Sequence, residues 1–459
     1  MWEHRRVSTL MTDILSRSAA TLAGLLLFAM TTISLMRTVV IPRTLRSLMS
    51  STVSATVIKV AFGLARLRKS YDKRDSILAW VGPTILVLQL ITWLVFYLFA
   101  YGLLLYGVGG QDVGDSLRQA GSSLFTLGFA DVNTGDQTVI DFIAAATGPI
   151  VIALMIGFLP TIYGSYLNRE TAVSSLSVTA GEPAWGPEML SRTTLAGTLD
   201  RIGDEFATWA DLAARMRMSH TMYPVLLWVR SARPYRHYVV SLLAVLDAAS
   251  LLVSVTKTLD RRDAFRVLLQ GGQTMEVLYS VVARKEPWHT RLPFVGRFFP
   301  SSRKQQAAER KLPGWNQKVI AVELASDQDA MLGLSDDIVQ TLSAREGGEL
   351  SLTRKDFDDA VDLLRRSGFP VERDLDAAWN QFRAARLRYE YAAYALCDIL
   401  DATPAPWTGS RRIPTTTVWP HSALDLMPEA DAMLIDDSVA DDSPHHGRSQ
   451  DDGPGAPEG

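Results

Sequence analysis

The run Ser122-Ser123-Leu124-Phe125-Thr126-Leu127-Gly128-Phe129-Ala130-Asp131 lies between two apolar stretches, residues 77–106 and 139–166. A helix of roughly 20 mostly apolar residues suffices to cross a bilayer, and both stretches exceed that. Non-helical backbone survives at membrane depth only where it is buried in protein or lines a water-filled cavity. The run is therefore expected to re-enter the membrane as a short helix followed by a loop, held by the helices on either side.

A third apolar run covers residues 19–41 and ends in Arg37-Thr-Val-Val-Ile-Pro-Arg43. Arg5 and Arg6 precede it, as in a secretory signal, but the run is long, ends in arginine and offers no small-residue cleavage site. Residues 42–76 then carry Arg43, Arg46, Lys59, Arg66, Arg68, Lys69, Lys73 and Arg74, with Asp72 and Asp75 the only acids. Positive loops stay on the cytoplasmic side. The expected arrangement is an extracytoplasmic N-terminus (residues 1–17), a first span (18–41), a basic cytoplasmic loop (42–76), two further spans flanking the loop (77–167) and a cytoplasmic remainder. Within the basic loop, residues 52–67 mix apolar and basic side chains, so they suit either an amphipathic helix on the lipid surface or an ordinary packed helix.

The re-entrant segment spans residues 114–131. Asp115 or Ser116 is placed to cap its helix, which runs to about Phe125. That helix's C-terminal end carries the negative pole of the dipole. Thr126–Ala130 then extends, with Gly128 suited to left-handed backbone angles. The connection between the two flanking spans also carries Asp112, Asp115, Asp131, Asp136 and Asp141 against Arg118 alone, an acidic vestibule of the kind that concentrates cations.

Thr126-Leu127-Gly128-Phe129-Ala130-Asp131 resembles the filter of the potassium-channel pore family, Thr-Val-Gly-Tyr-Gly-Asp, in its form with two helices and one pore loop per chain. Gly148-Pro149 through Gly157-Phe158-Leu159-Pro160, with Arg169-Glu170, resembles the inner helix of a bacterial branch of that family. The resemblance implies a plasma-membrane homotetramer embedded in lipid. Carbonyls of Thr126, Leu127, Gly128, Phe129 and Ala130 would replace water around a permeant potassium ion (or sodium), with Asp131 at the outer mouth. Phe125, Phe129 and Ala130 depart from the family pattern, and a Cβ at a position needing positive φ costs about 1–2 kcal/mol.

Gly148, Gly157 and Pro160 interrupt the third span. They suit a hinge that lets the inner ends splay, and the two glycines suit close helix packing equally well. No ladder of arginines indicates voltage sensing.

The remainder, residues 168–403, carries helical periodicity at 195–216, 238–257, 263–283, 316–342 and 375–400. Residues 238–255 are apolar enough to span, but a central Asp247 costs about 2.5–3.5 kcal/mol and both flanks are basic. A buried helix of a cytoplasmic bundle is expected. No glycine-rich nucleotide loop, EF-hand, clustered metal ligands or catalytic constellation is present; His220, His237 and His289 are scattered, and Cys397 reads as a buried thiol. Neither a cofactor nor a regulatory ligand is legible. Residues 296–311 read as a basic linker. Residues 404–459 read as a disordered acidic tail. The net charge of −3 gives no support for a nucleic-acid partner.

The whole is an expected all-α membrane protein: outer helix, pore helix, filter loop and inner helix, preceded by one more span and followed by a helical cytoplasmic domain. The expected activity is passive cation permeation and not enzymatic. A non-conducting scaffold or sensor on the same fold is the alternative; a membrane-anchored enzyme is the more distant one.

Overall fold

Apolar runs this long leave the backbone one way to satisfy its own N–H and C=O groups, and the chain takes it. The structure, a computed structural model, describes residues 2–41, 47–130, 135–283 and 352–409, and no β-strand occurs among them. The all-α class expected from the sequence is the one adopted. Five helical stretches are long and apolar enough to cross a membrane: Met11–Val40, Leu48–Arg66, Tyr71–Gly109, Gly135–Ala180 and Tyr238–Val255.

The first tier comprises α1 (Trp2–Leu35, continued by a π-helical turn Met36–Val40), α2 (Leu48–Arg66), α3 (Tyr71–Leu78), α4 (Val81–Gly109), α5 (Val113–Leu124) and α6 (Gly135–Ala180). α1 packs along α4 and runs antiparallel to it. The Arg17 guanidinium donates to the carbonyls of Tyr106 (3.3 Å) and Gly110 (3.2 Å), satisfying orphan acceptors at the end of α4. Further along, the Trp93 indole donates to Ser34 Oγ at 3.1 Å and Thr32 Oγ1 pairs with the Tyr97 hydroxyl at 2.9 Å. Such polar contacts hold helices together where hydrophobicity gives no preference between lipid and protein.

α6 is one helix of 46 residues, continuous through Pro149 and Pro160. At 1.5 Å per residue it is about 69 Å long, more than twice a hydrocarbon core of about 30 Å. The boundary expected near residue 167 falls inside it, and its final turns, with Val173, Leu176 and Ala180, enter the core of the second tier.

That second tier contains α7 (Gly186–Leu195), α8 (Ile202–Met222), a 3-10 turn (Pro224–Trp228), α9 (Tyr238–Val255), α10 (Arg262–Ala283), α11 (Arg354–Arg366), α12 (Leu375–Leu387) and α13 (Glu390–Ile399). Every residue of α9 is buried, with α7, α8, α10, α12, α13 and the end of α6 packed around it. Asp247, which interrupts its apolar run, is paired with the buried Arg386 of α12 and accepts from the Tyr389 hydroxyl at 2.7 Å. Cys397 is buried in the same core. Residues 404–409 are also packed: Ala405 is buried, and the Trp407 ring lies 5.7 Å from that of Phe382. The expected helix at 316–342, the linker at 296–311, His289 and the tail from residue 410 lie outside the described residues.

Residues 223–230 clasp the two tiers together. Leu226 is buried in the first-tier core, and the Tyr223 ring meets Phe158 of α6 edge-on at 5.4 Å. Arg169, on the far half of α6, is 1% exposed and donates to the carbonyls of Leu226 (3.0 Å) and Val229 (2.8 Å). Arg230 donates to Asp75 of α3 at 2.7 Å and to the Leu400 carbonyl at 2.6 Å.

Candidate functional site

α5 is a three-turn helix wedged between α4 and α6, with Ala120 and Leu124 in the first-tier core. Its cap is Asp112, one turn earlier than the sequence suggested: Asp112 Oδ1 accepts from the Asp115 N–H at 2.7 Å. Ser116 Oγ donates to the Asp112 carbonyl at 2.7 Å and only reinforces the turn. At the other end the helix rests on Gly148. A Cβ there would fall 1.9 Å from the Leu124 carbonyl oxygen, so only glycine lets α5 approach α6 this closely. Among the described residues nothing lies within 4 Å of the corresponding position at Gly157; Gly157 and Pro160 both sit on the exposed face of α6. Of the three residues grouped as a hinge, Gly148 is a packing seat.

The chain after α5 folds back on Ser122. The N–H groups of Leu127 (2.7 Å) and Gly128 (3.4 Å) donate to the Ser122 carbonyl. Those of Phe129 (3.0 Å) and Ala130 (3.2 Å) donate to Ser122 Oγ. Four consecutive amides thus converge on two oxygens of one buried residue. Among the described residues no donor reaches the carbonyl oxygens of Thr126, Leu127, Gly128 or Phe129.

Two residues take left-handed angles, Thr126 (φ 55°) and Gly128 (φ 69°). Glycine accepts this freely; threonine does not, so Thr126 holds strain of about 1–2 kcal/mol. Ala130, the position in doubt on the sequence, has no positive φ and carries no such cost. The Thr126 hydroxyl donates to the Phe125 carbonyl at 2.7 Å, leaving its oxygen lone pairs available. Asp131 lies outside the described residues.

The acidic connection divides. Asp112, Asp115 and Asp136 are exposed. Asp141 is buried: it lies behind α5, accepting from Gln119 Nε2 at 2.7 Å and Ser123 Oγ at 2.5 Å. Arg118 lies with its guanidinium 5.4 Å from the centre of the Phe129 ring. The sequence did not reveal Ser122 or Asp141 as supports of the loop. Their only signal was polarity at inward-facing positions of a helix beside long apolar ones.

No family model, curated protein or solved structure matches the chain.

Proposed function

We propose that the chain is one subunit of a passive cation channel in a plasma membrane, with the basic loop and second tier in the cytoplasm and potassium as the preferred ion. Four copies place four loops around one axis, since a ring of carbonyls needs that symmetry. Thr126, Leu127, Gly128, Phe129 and Ala130 form the filter, Asp131 stands at its outer mouth, and α6 lines the path below it.

The observation that carries this reading is the convergence on Ser122. A segment whose amides are all satisfied leaves its carbonyls as the backbone groups open to a ligand. Those carbonyls have no donor among the described residues, a state that in an apolar setting costs several kcal/mol per group unless water or a cation meets them. The helix end leading into them adds its partial negative charge.

The test is flux from liposomes holding the purified protein, potassium against sodium, with Ser122→Ala alongside. The native protein is expected to pass potassium in preference, and the variant to lose most of that preference while still assembling. Impermeable liposomes containing well-folded tetramers would reject the reading. They would favour a non-conducting scaffold, which one feature already suits: Arg118, beside Phe129, is a fixed positive charge near the mouth that opposes cation approach.

A further inference from the structure

Asp141 is the one acid of the acidic connection, among the described residues, that is withdrawn from solvent. Its two oxygens are met by an amide and a hydroxyl, both neutral, and no lysine or arginine pairs with it among the described residues. Buried carboxylates elsewhere in this protein have cationic partners: Asp75 has Arg230, Glu188 has Arg192, and Asp247 has Arg386. A buried carboxylate without a counter-charge is costly. If packing alone were required, an apolar or amide side chain would serve.

Its position points to what offsets the cost. Ser123, which donates to Asp141, directly follows Ser122, on which the loop amides converge. The carboxylate thus stands beside the last turn of α5, whose negative end leads into the segment whose carbonyls lack donors among the described residues. Because the carboxylate itself is buried, its field is screened less than that of the exposed acids.

We propose that Asp141 sets the charge selectivity of the loop, favouring cations over anions by holding a fixed negative charge beside the helix that leads into it. This rests on the channel reading and adds to it the residue that decides the sign of the permeant ion. The ion's counter-charge comes from this buried side chain, independently of the exposed vestibule acids.

Asp141→Asn is well suited as a test. Gln119 Oε1 has no hydrogen-bond partner among the described residues, so turning the Gln119 amide over lets it accept from the new Asn N–H while Ser123 still donates to the Asn oxygen. The substitution removes the charge and keeps the shape. The measurement is the reversal potential of the purified tetramer in a planar bilayer under a potassium chloride gradient. The native protein is expected to be cation-selective, and Asp141→Asn to lose about tenfold in the potassium-to-chloride permeability ratio, the scale of one unit charge in a poorly screened site. Ser123→Ala breaks the strut but keeps the charge, so its ratio should stay native.

An unchanged ratio in Asp141→Asn overturns the proposal. So does an equal fall in Ser123→Ala, or failure of Asp141→Asn to assemble, because either makes the carboxylate a structural strut. A native tetramer that passes no current rejects the channel reading, and this inference with it. A conducting native protein with an indifferent Asp141→Asn rejects only the role of Asp141.

Discussion

His220 shows how one residue's chemistry follows from its neighbours. Its ring is completely buried beneath α6, with Nε2 3.1 Å from an Arg169 nitrogen and Nδ1 3.1 Å from Ser219 Oγ. Arginine only donates, so Nε2 must be the acceptor and the ring neutral, with its proton on Nδ1. Burial first, and the Arg169 charge second, hold its pKa well below the usual histidine range. In the unfolded chain the ring protonates near pH 6.5. The stability due to the neutral ring is therefore fully present above that pH and falls as pH drops towards the folded-state value, by about 1.4 kcal/mol per unit. Thermal unfolding in detergent should show a melting temperature that declines from pH 7 to pH 5. His220→Gln, which keeps an acceptor but cannot titrate, should flatten that decline. An equal slope in both would show that other groups govern acid sensitivity.

Among the elements, α6 is decisive because its two halves do different work. Its first half seats α5 at Gly148, and its second half carries Arg169 into the clasp formed by residues 223–230. Overpacking a tight contact costs about 1–3 kcal/mol. Gly148→Ala should therefore push α5 off its seat and lower the stability of the assembled protein by an amount in that range. Gly157→Ala meets nothing within 4 Å among the described residues and should not lower stability. On the proposed channel reading, any effect of the Gly157 substitution would then show in opening and closing or in contact between copies. Chemical denaturation of the two variants, measured side by side, separates the roles. Equal losses of stability would contradict this division of labour.

At the scale of the whole molecule, α9 is wrapped so completely that its one charge must be met from another part of the chain. Arg386 lies 139 residues away in sequence, and besides Asp247 it binds Glu390 at 2.7 Å, the Tyr394 hydroxyl at 2.9 Å and the Trp407 carbonyl at 2.7 Å. Arg386→Met would leave the Asp247 carboxylate buried without its cation and should cost about 3–5 kcal/mol of stability. Asp247→Leu combined with Arg386→Met should recover much of that loss, since an apolar pair avoids desolvating two ions. A double variant as unstable as the single one would mean that Glu390 and the Trp407 carbonyl depend on Arg386 more than Asp247 does. The helical class, the long apolar runs, the burial of α9 and a short helix between two long apolar ones were all legible in the sequence. Hydropathy and periodicity act over neighbouring residues and need no partner to be read. The sequence also marked Gly128 as a left-handed position, because only local backbone sterics are involved. Tertiary structure decided that Ser122 gathers four amides, that Asp141 turns inward while Asp112, Asp115 and Asp136 face water, and that Gly148 is a seat. It also decided that α6 continues past its expected end. Each of these depends on which distant group a polar or small residue meets, and hydrogen bonds and ion pairs take their energy from that encounter.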